Sequence, residues 1–163
     1  MSDPGASPRD AVESARLDAA LRDLFDHKIV FNEFLGVRID AFDATHARSV
    51  FAMRPELIGH HLHGRLHGGV ISSVLDATGG LAIMSAIAHH YSDESATDVM
   101  ERFRHLGTVD MRIDFLRQGI GERFFAIADV VRLGRRIGTA SMRLLNEQDR
   151  LIATGTATYI VSS

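Results

Sequence analysis

The groups best suited to chemistry are His67-Gly68-Gly69 and the single acid Asp76, which follows them in a long apolar stretch. The apolar residues 70–88 extend too far for a strand and therefore predict a buried helix. The first N–H groups of a helix lack internal acceptors and carry a partial positive charge, so they can bind an anion or polarise a carbonyl oxygen. Such donors near a lone buried carboxylate favour hydrolytic chemistry.

Asp76 lies two turns into the predicted helix, which contains no other charged residue to pair with it. An unpaired carboxylate in such a helix is costly, which favours a functional role. The structural alternative is that a helix-end hydrogen bond or an arginine satisfies it. In the functional case Asp76 acts as a general base on water or as a nucleophile that forms an anhydride, and the sequence leaves both routes open.

His60, His61, His63 and His67 place four imidazoles within eight residues, which raises the question of a metal site. Zinc is bound by three or four such nitrogens, usually from fixed elements. These four lie instead in a glycine-containing loop that ends at the helix start, so we predict no metal site. In this interpretation His67 steers the turn into the helix, and neither a metal nor an organic cofactor is needed.

The composition excludes several functional classes. With 163 residues the chain is long enough for one domain with a substantial core. It contains no cysteine, which excludes disulfides, thiolate zinc sites and a cysteine nucleophile. A net charge of −3 gives no basic surface of the kind that nucleic acids require. Glycine and polar residues interrupt the long apolar runs, so we expect a soluble cytoplasmic protein without membrane insertion.

The elements that must position these residues divide the chain into three parts. Residues 1–9 are polar and predicted to be disordered. Residues 10–32 are predicted to form an amphipathic helix that docks on the rest, because four apolar residues recur at helical spacing, namely Leu17, Leu21, Leu24 and Phe25. Residues 33–163 form the main domain.

The main domain has the patterning of an α+β fold. Period-two alternation predicts a half-buried strand over residues 109–115. Further strands are predicted at 34–43, 47–54, 122–133, 137–146 and 150–161, with a loop at 55–66 and a short helix at 93–103. An antiparallel sheet curved around the apolar helix would cover most of it. The remaining face, near Gly79 and Gly80, is expected to pack against a partner chain.

This order of elements, with His-Gly-Gly at the helix start and an acid nine residues after the histidine, resembles the hotdog-fold acyl-CoA thioesterases. The similar branch contains the phenylacetate-degradation thioesterases and their medium- and long-chain acyl-CoA relatives. Residues 54–59, 67–80 and 106–117 carry the resemblance, which covers residues 33–161. It implies a curved antiparallel sheet wrapped around one long central helix, here with an added N-terminal helix.

The resemblance also implies roles for particular residues. Asp76 would be the catalytic carboxylate, and the backbone amides of Gly68 and Gly69 would receive the thioester carbonyl oxygen. Thr108 would hold the attacking water, with an ordinary strand threonine as the alternative. In such relatives the carboxylate and the amides lie on opposite subunits. The resemblance therefore implies a homodimer with active sites at the subunit interface, assembled further into a homotetramer.

Two further groups are candidates for substrate binding. Many relatives carry an asparagine six or seven residues before His-Gly-Gly, where this chain has His60 and His61, and either ring N–H could position water or the thioester. The second group surrounds the Gly134 turn and could meet the phosphates of coenzyme A, or serve only to keep the hairpin soluble; it consists of Arg132, Arg135 and Arg136.

Together these features predict hydrolysis of acyl-CoA to the free acid and coenzyme A. The apolar residues around the helix favour medium to long acyl chains, and aryl thioesters stay open. One alternative is an acyl-thioester dehydratase or hydratase that uses His67 with Asp76, although the paired glycines fit a thioesterase better. The other is a non-catalytic acyl-CoA-binding protein or sensor, which would gain nothing from a buried acid.

Overall fold

The computed structural model of the protein describes residues 8–162, in which four α-helices and eight β-strands are present. The helices are α1 (Ala11–Asp23), α2 (Val30–Leu35), α3 (Gly68–His90) and α4 (Ala96–Arg102). The strands are β1 (Arg38–Phe42), β2 (His46–Ala52), β3 (Ile58–His60), β4 (Arg65–Leu66), β5 (Gly107–Phe115), β6 (Arg123–Leu133), β7 (Ile137–Asn146) and β8 (Leu151–Ile160).

Six of the strands form one antiparallel sheet in the order β1-β2-β6-β7-β8-β5. Strands β6, β7 and β8 follow one another as a meander, as the turn-forming residues between them predict. α3 packs across the sheet, mainly against β6, β7 and β2. The predicted α+β architecture, an antiparallel sheet around one long central helix with an added N-terminal helix, is confirmed.

α3 is the core of the domain. Leu75, Leu81 and Ile83 have no exposed surface, and all residues from Thr78 to Ile87 are buried. By length and composition Gly68–His90 could cross a membrane, but 78% of its most apolar segment is buried within the fold. Its apolar composition is therefore accounted for by the protein layers that cover it.

The segment before β1 differs from the prediction. The chain continues from α1 through a π-helical turn at Leu24–Lys28 into α2, whereas residue 34 is predicted to begin a strand. α2 is terminated by the following Gly36, whose φ of 72° lies in the left-handed region that favours glycine. β1 consequently begins only at Arg38. The sequence misleads here because six residues are too few to distinguish helical from strand periodicity.

α1 docks on the domain through its apolar face and its acidic first turn. Leu17, Leu21 and Phe25 are buried, as their helical spacing predicts. The Glu13 carboxylate accepts a hydrogen bond from the Ala96 N–H (2.8 Å), so α1 helps to cap the start of α4.

Arg9 fixes the end of the central helix. Its guanidinium donates to the carbonyl oxygens of Ala88 (2.5 Å) and Tyr91 (2.7 Å), and its backbone N–H donates to Ser92 (2.6 Å). Arg9 thus has fixed partners, although it falls in the stretch predicted to be disordered. Residues 1–7 of that stretch lie outside the described residues.

The predicted loop at 55–66 contains secondary structure. A 3₁₀ turn at Pro55–Leu57 leads into the two-stranded β3–β4 hairpin. The hairpin is tied to the start of α3, because the His67 N–H donates to the Leu57 carbonyl (2.9 Å). The Leu66 N–H donates to Gly119 (2.9 Å), which ties the same segment to the turn after β5.

Gly79 and Gly80 are covered by the protein's own chain. A Cβ at Gly79 would lie 2.6 Å from the Met142 sulfur and would clash with the Tyr159 hydroxyl. A Cβ at Gly80 would meet Leu106 and Tyr159 only at ordinary contact distance (3.8 Å). The expectation that a partner chain packs on these glycines is therefore wrong, because β7, β8 and Leu106 already fill the space.

We predict opposite effects for alanine at these two neighbouring positions. Gly79→Ala should lower the free energy of unfolding by about 1–3 kcal/mol, because the added methyl group overpacks the contact with Tyr159 and Met142. Gly80→Ala is the matched control and should raise it by up to about 1 kcal/mol, because alanine favours a helix over glycine. Urea unfolding measures both. Equal losses in the two variants would contradict the packing described for Gly79.

Candidate active site

The start of α3 is organised by His67. Its Nδ1 accepts a hydrogen bond from the Gly69 N–H (2.9 Å), so His67 is the N-cap of the helix. The Val70 and Ile71 N–H groups donate to the His67 carbonyl (3.0 and 3.2 Å). Within residues 8–162 no group accepts a hydrogen bond from the Gly68 N–H. Of the two glycine amides predicted as donors, Gly68 is therefore free for a ligand, whereas Gly69 is occupied by the cap.

Asp76 and Thr108 form the second part of the site. The Thr108 hydroxyl donates to Asp76 Oδ1 (2.8 Å), which joins the middle of α3 to the first strand after α4. The pairing of β5 with β8 shifts its register between Thr108 and Asp110, so the start of β5 carries a bulge. Asp76 is half-buried in the protomer and not the fully buried carboxylate that the apolar helix predicts.

The backbone at Asp76 is fixed by Tyr159 of β8. The Tyr159 hydroxyl donates to the Asp76 carbonyl oxygen (2.9 Å), and its ring is buried. Burial, together with the nearby Asp76 charge, raises the pKa of Tyr159 far above its usual value. The phenol therefore stays protonated and keeps donating. Sequence reasoning misses Tyr159, because the alternation of β8 predicts an inward side chain but not the carbonyl that it meets.

The free amide and the carboxylate do not converge within one protomer. Gly68 and Asp76 are eight residues apart on α3, which corresponds to about 12 Å along the helix axis. A Cβ at Gly68 would lie 3.4 Å from the Phe115 ring at the end of β5, whereas Asp76 contacts Thr108 at its beginning. Reacting atoms must approach to about 3–3.5 Å, so these two groups of one chain cannot act on the same carbonyl.

Three of the loop histidines stack on one another in the β3–β4 hairpin. The His60 ring centroid lies 5.7 Å from that of His61 and 4.7 Å from that of His63. The described residues contain no group of three or more side chains arranged to hold a metal ion. His60 Nδ1 is buried, and no described residue bonds to it. Because the adjoining Gly59 packs directly against His67, this hairpin lies beside the start of α3.

The arginines of the β6–β7 turn lie at the opposite end of α3. Arg135 lines a cleft there together with His90 and Tyr91. His90 is fourteen residues beyond Asp76, or about 21 Å along the helix. The structure therefore does not bring the predicted group, Arg132, Arg135 and Arg136, together with the carboxylate or the free amide of the same chain.

A cleft at the start of α3 contains functional candidates that sequence reasoning misses. Its volume is about 460 Å³, and its wall includes Gly68, Phe115 and Leu116 together with Arg65 and Arg117. These residues come from β4, from α3 and from the last residue of β5 with the turn that follows it, so no local pattern marks them as neighbours. The available sequence signal is the apolar pair Phe115 and Leu116, because Leu116 interrupts the period-two alternation of β5. In the structure both side chains are about half exposed.

Comparison with known proteins begins with families. The model of the thioesterase superfamily matches residues 63–153, which contain His67, both glycines, Asp76 and Thr108. The matched range begins in the β3–β4 hairpin and ends in β8. It therefore includes all of α3 and β5, the two elements that carry the candidate site residues.

Individual proteins match over longer ranges. The medium/long-chain acyl-CoA thioesterase YigI of Escherichia coli (strain K12) is 34% identical over 139 residues, which cover 85% of this chain and 90% of the relative. A crystal structure from Shewanella oneidensis, of a protein related to the thioesterase superfamily, has a TM-score of 0.87 and 36% identity, covering 94% of this chain and 100% of that one. A thioesterase family protein from Silicibacter pomeroyi has a TM-score of 0.69 and 28% identity, covering 90% and 98%.

We predict that the His67 side chain stabilises the fold through its cap. His67→Ala should lower the free energy of unfolding by about 1 kcal/mol, because the Gly69 N–H loses its acceptor. His67→Asn should retain most of this stability, because asparagine is also a favourable N-cap residue. Urea unfolding near neutral pH measures both variants. If both variants lose the same free energy of unfolding, His67 stabilises the fold by packing against Gly59 and not through the cap.

Proposed function

Because the chain belongs to the thioesterase superfamily, we propose that it hydrolyses medium- to long-chain acyl-CoA thioesters to the free acid and coenzyme A. The observation that carries the proposal is the pair of features on α3, the free Gly68 amide at its start and the Asp76–Thr108 pair two turns later. The 34% identity to a medium/long-chain acyl-CoA thioesterase supports this acyl class.

In the proposed reaction the Gly68 N–H donates to the thioester carbonyl oxygen and stabilises the negative charge that develops on it. One preorganised donor of this kind is worth about 3 kcal/mol. Asp76 either takes a proton from the water that attacks the carbonyl carbon, or attacks that carbon itself to form an anhydride that water hydrolyses. In both routes the carbon–sulfur bond breaks, and the coenzyme A thiolate leaves and takes up a proton.

The remaining predicted residues would act by positioning. Thr108 holds Asp76 Oδ1, which leaves Oδ2 to meet water or the carbonyl carbon. His67 fixes the first turn of α3 and so aims the Gly68 amide. His60 and His61 lie beside this turn, and the unpartnered Nδ1 of His60 supports a role in contacting water or the thioester.

A homodimer would bring the two halves of the site together. β5 is the last strand of the sheet and leaves one side of its backbone without a neighbour among the described strands. Two apolar side chains of this strand are exposed, Val109 (61%) and Phe115 (55%). A long edge strand with exposed apolar residues favours pairing with a second copy. We therefore place the dimer interface along β5, with each active site shared between subunits.

The charges of β5 favour a particular register for this pairing. Asp110 and Arg112 alternate with apolar residues along the strand. An antiparallel pairing centred on Met111 would place each Asp110 opposite the partner's Arg112, which is a favourable cross-strand pair. The same register brings Phe115, which adjoins Gly68, close to the partner's Thr108, which contacts Asp76. The amide of one subunit would then face the acid of the other.

Two further expectations belong to this proposal. Pairs of dimers would form the homotetramer, and the exposed apolar face of α2, with Val30, Phe31 and Phe34, offers a surface for that assembly.

The reaction would take place in the cytoplasm. A dehydratase or hydratase and a non-catalytic acyl-CoA sensor are the alternative functions, and the assay below distinguishes them.

We predict that Asp76→Asn lowers kcat by about 10²–10⁴-fold, because it removes the only group proposed as base or nucleophile. Thiol release is measured from acyl-CoAs graded from acetyl to palmitoyl, with one aryl thioester. The wild type should turn over the medium and long chains fastest. Unchanged melting temperature and oligomer size in the variant serve as the control for folding.

Other outcomes of this assay would assign a different function. Wild-type protein that binds acyl-CoA without releasing thiol on any substrate would favour the sensor. Addition or loss of water on an enoyl- or hydroxyacyl-CoA, without thiol release, would favour the hydratase or dehydratase. Full thiol release by a folded Asp76→Asn protein would remove Asp76 from the mechanism.

We predict that Gly68→Pro also abolishes most activity, since proline deletes the proposed donor while its ring is tolerated at the first position of a helix. His67, the preceding residue, already has the extended conformation that a following proline requires. Mixing Asp76→Asn and Gly68→Pro chains by denaturation and joint refolding should restore activity, because a shared site would contain one intact amide and one intact acid. The measurement is thiol release before and after mixing, and no gain would contradict the shared site.

A further inference from the structure

Two neighbouring clefts share part of their walls, and the first of them begins at the proposed carbonyl site; we call the two together the groove. The first has a volume of about 460 Å³ and includes Gly68 and Phe115 in its wall. The second has a volume of about 420 Å³ and includes Arg150 of the turn between β7 and β8. Arg117 and Gln118 line both, so the two clefts meet at the turn that follows β5. The groove thus leads away from the free amide across the surface of the protomer.

The first cleft of the groove combines apolar and cationic side chains. Its wall includes the apolar side chains of Ile71, Phe115 and Leu116 and, in the same cleft as Gly68, the Arg65 and Arg117 side chains. Over residues 8–162 neither arginine forms an ion pair. One Nη of Arg117 donates to the Leu151 carbonyl (2.9 Å), which fixes the side chain and leaves its other N–H groups for a ligand.

The carboxylate in the second cleft is already engaged. Glu147 accepts hydrogen bonds from the backbone N–H groups of Glu122 and Arg123 (3.2 Å each). Its own backbone N–H and then those of Arg123 and Glu122 hold the pKa of Glu147 below its usual value, so it is charged at neutral pH. Arg150 lies in the same cleft, so the net charge along the groove, counting Arg65, Arg117, Arg150 and Glu147, is positive. An anion is therefore the expected ligand at this end.

Coenzyme A presents a matching combination of chemical groups beyond its sulfur. A chain of methylene, amide and dimethyl groups comes first, and the phosphates follow. Guanidinium groups suit phosphate because their planar fork donates two parallel hydrogen bonds. We propose that this groove binds the coenzyme A half of the substrate and that Arg65 and Arg117 contact its phosphates. The inference rests on the proposed function and replaces the β6–β7 arginines in this role.

The test compares two thioesters with the same acyl group. Decanoyl-CoA carries the phosphates, whereas decanoyl-N-acetylcysteamine ends before them. The double variant Arg65→Ala/Arg117→Ala should raise KM for decanoyl-CoA and lower its kcat/KM by about tenfold or more, because a hydrogen bond to a charged group is worth at least that factor. The kcat/KM for decanoyl-N-acetylcysteamine should stay within about twofold of the wild type.

Three comparisons make the result specific. Arg104→Ala removes an exposed arginine that pairs with Glu101 away from the groove, and it should leave both substrates unchanged. Arg65→Lys/Arg117→Lys keeps the charge without the fork and should recover part of the loss on decanoyl-CoA. Arg135→Ala tests the alternative phosphate site at the β6–β7 turn. If this variant loses kcat/KM selectively for decanoyl-CoA while Arg65→Ala/Arg117→Ala does not, the proposal is overturned.

A binding measurement separates this inference from the proposed function. Calorimetry with free coenzyme A and with pantetheine needs no turnover. The groove variant should bind coenzyme A about tenfold more weakly and pantetheine equally well. Equal losses on both thioesters, or unchanged binding of coenzyme A, would overturn the groove assignment. A wild type that binds coenzyme A but hydrolyses neither thioester would instead overturn the proposed function.

Discussion

The need to cover α3 is the constraint on which the rest of the structure depends. A helix that is apolar on nearly all sides must be buried by several layers at once. The second half of α3, from Thr78 to Ile87, is buried continuously beneath the sheet and the helices that dock beside it. The first half keeps a half-exposed strip that contains Ser73 and Asp76 at helical spacing. The candidate chemistry lies on this strip because it is the part of the helix that the protomer leaves uncovered.

The hydrogen bonds at the start of α3 determine how many donors a ligand can meet. Every helix leaves its first amides without internal acceptors, so a bare helix start could offer several. Here the His67 ring uses the Gly69 amide and the His67 carbonyl uses the next two. A single amide, that of Gly68, is left. The cap thus stabilises the helix and at the same time selects the atom that would receive a carbonyl oxygen.

β5 connects the two halves of the site in space. One end of the strand lies against the free amide through Phe115, and the other end holds the carboxylate through Thr108. The strand is also an edge of the sheet, so its backbone can pair with a second copy. The same nine residues would therefore position both halves and form the interface that brings them together. The groove proposed to bind coenzyme A includes Phe115 in its wall, so it adjoins the same strand.

The sequence by itself determined the central helix, most strands of the large sheet and the residue types of the candidate site. Long apolar runs, period-two alternation and turn residues are local signals, and they located α3, the meander and the His-Gly-Gly start. The sequence did not determine that Gly69 is occupied by His67, because a cap is a hydrogen bond whose geometry depends on how the preceding hairpin enters the helix. The sequence predicts phosphate contacts from the arginines of the β6–β7 turn, which lies at the opposite end of α3 from the cleft that begins at Gly68. Arg65 lies in one cleft with Phe115 and Arg117 because the β3–β4 hairpin packs against the turn after β5, where the Leu66 N–H donates to the Gly119 carbonyl. No local pattern encodes such contacts between segments distant in the chain. Tertiary structure alone decided them, because it alone fixes which surfaces of separate elements meet.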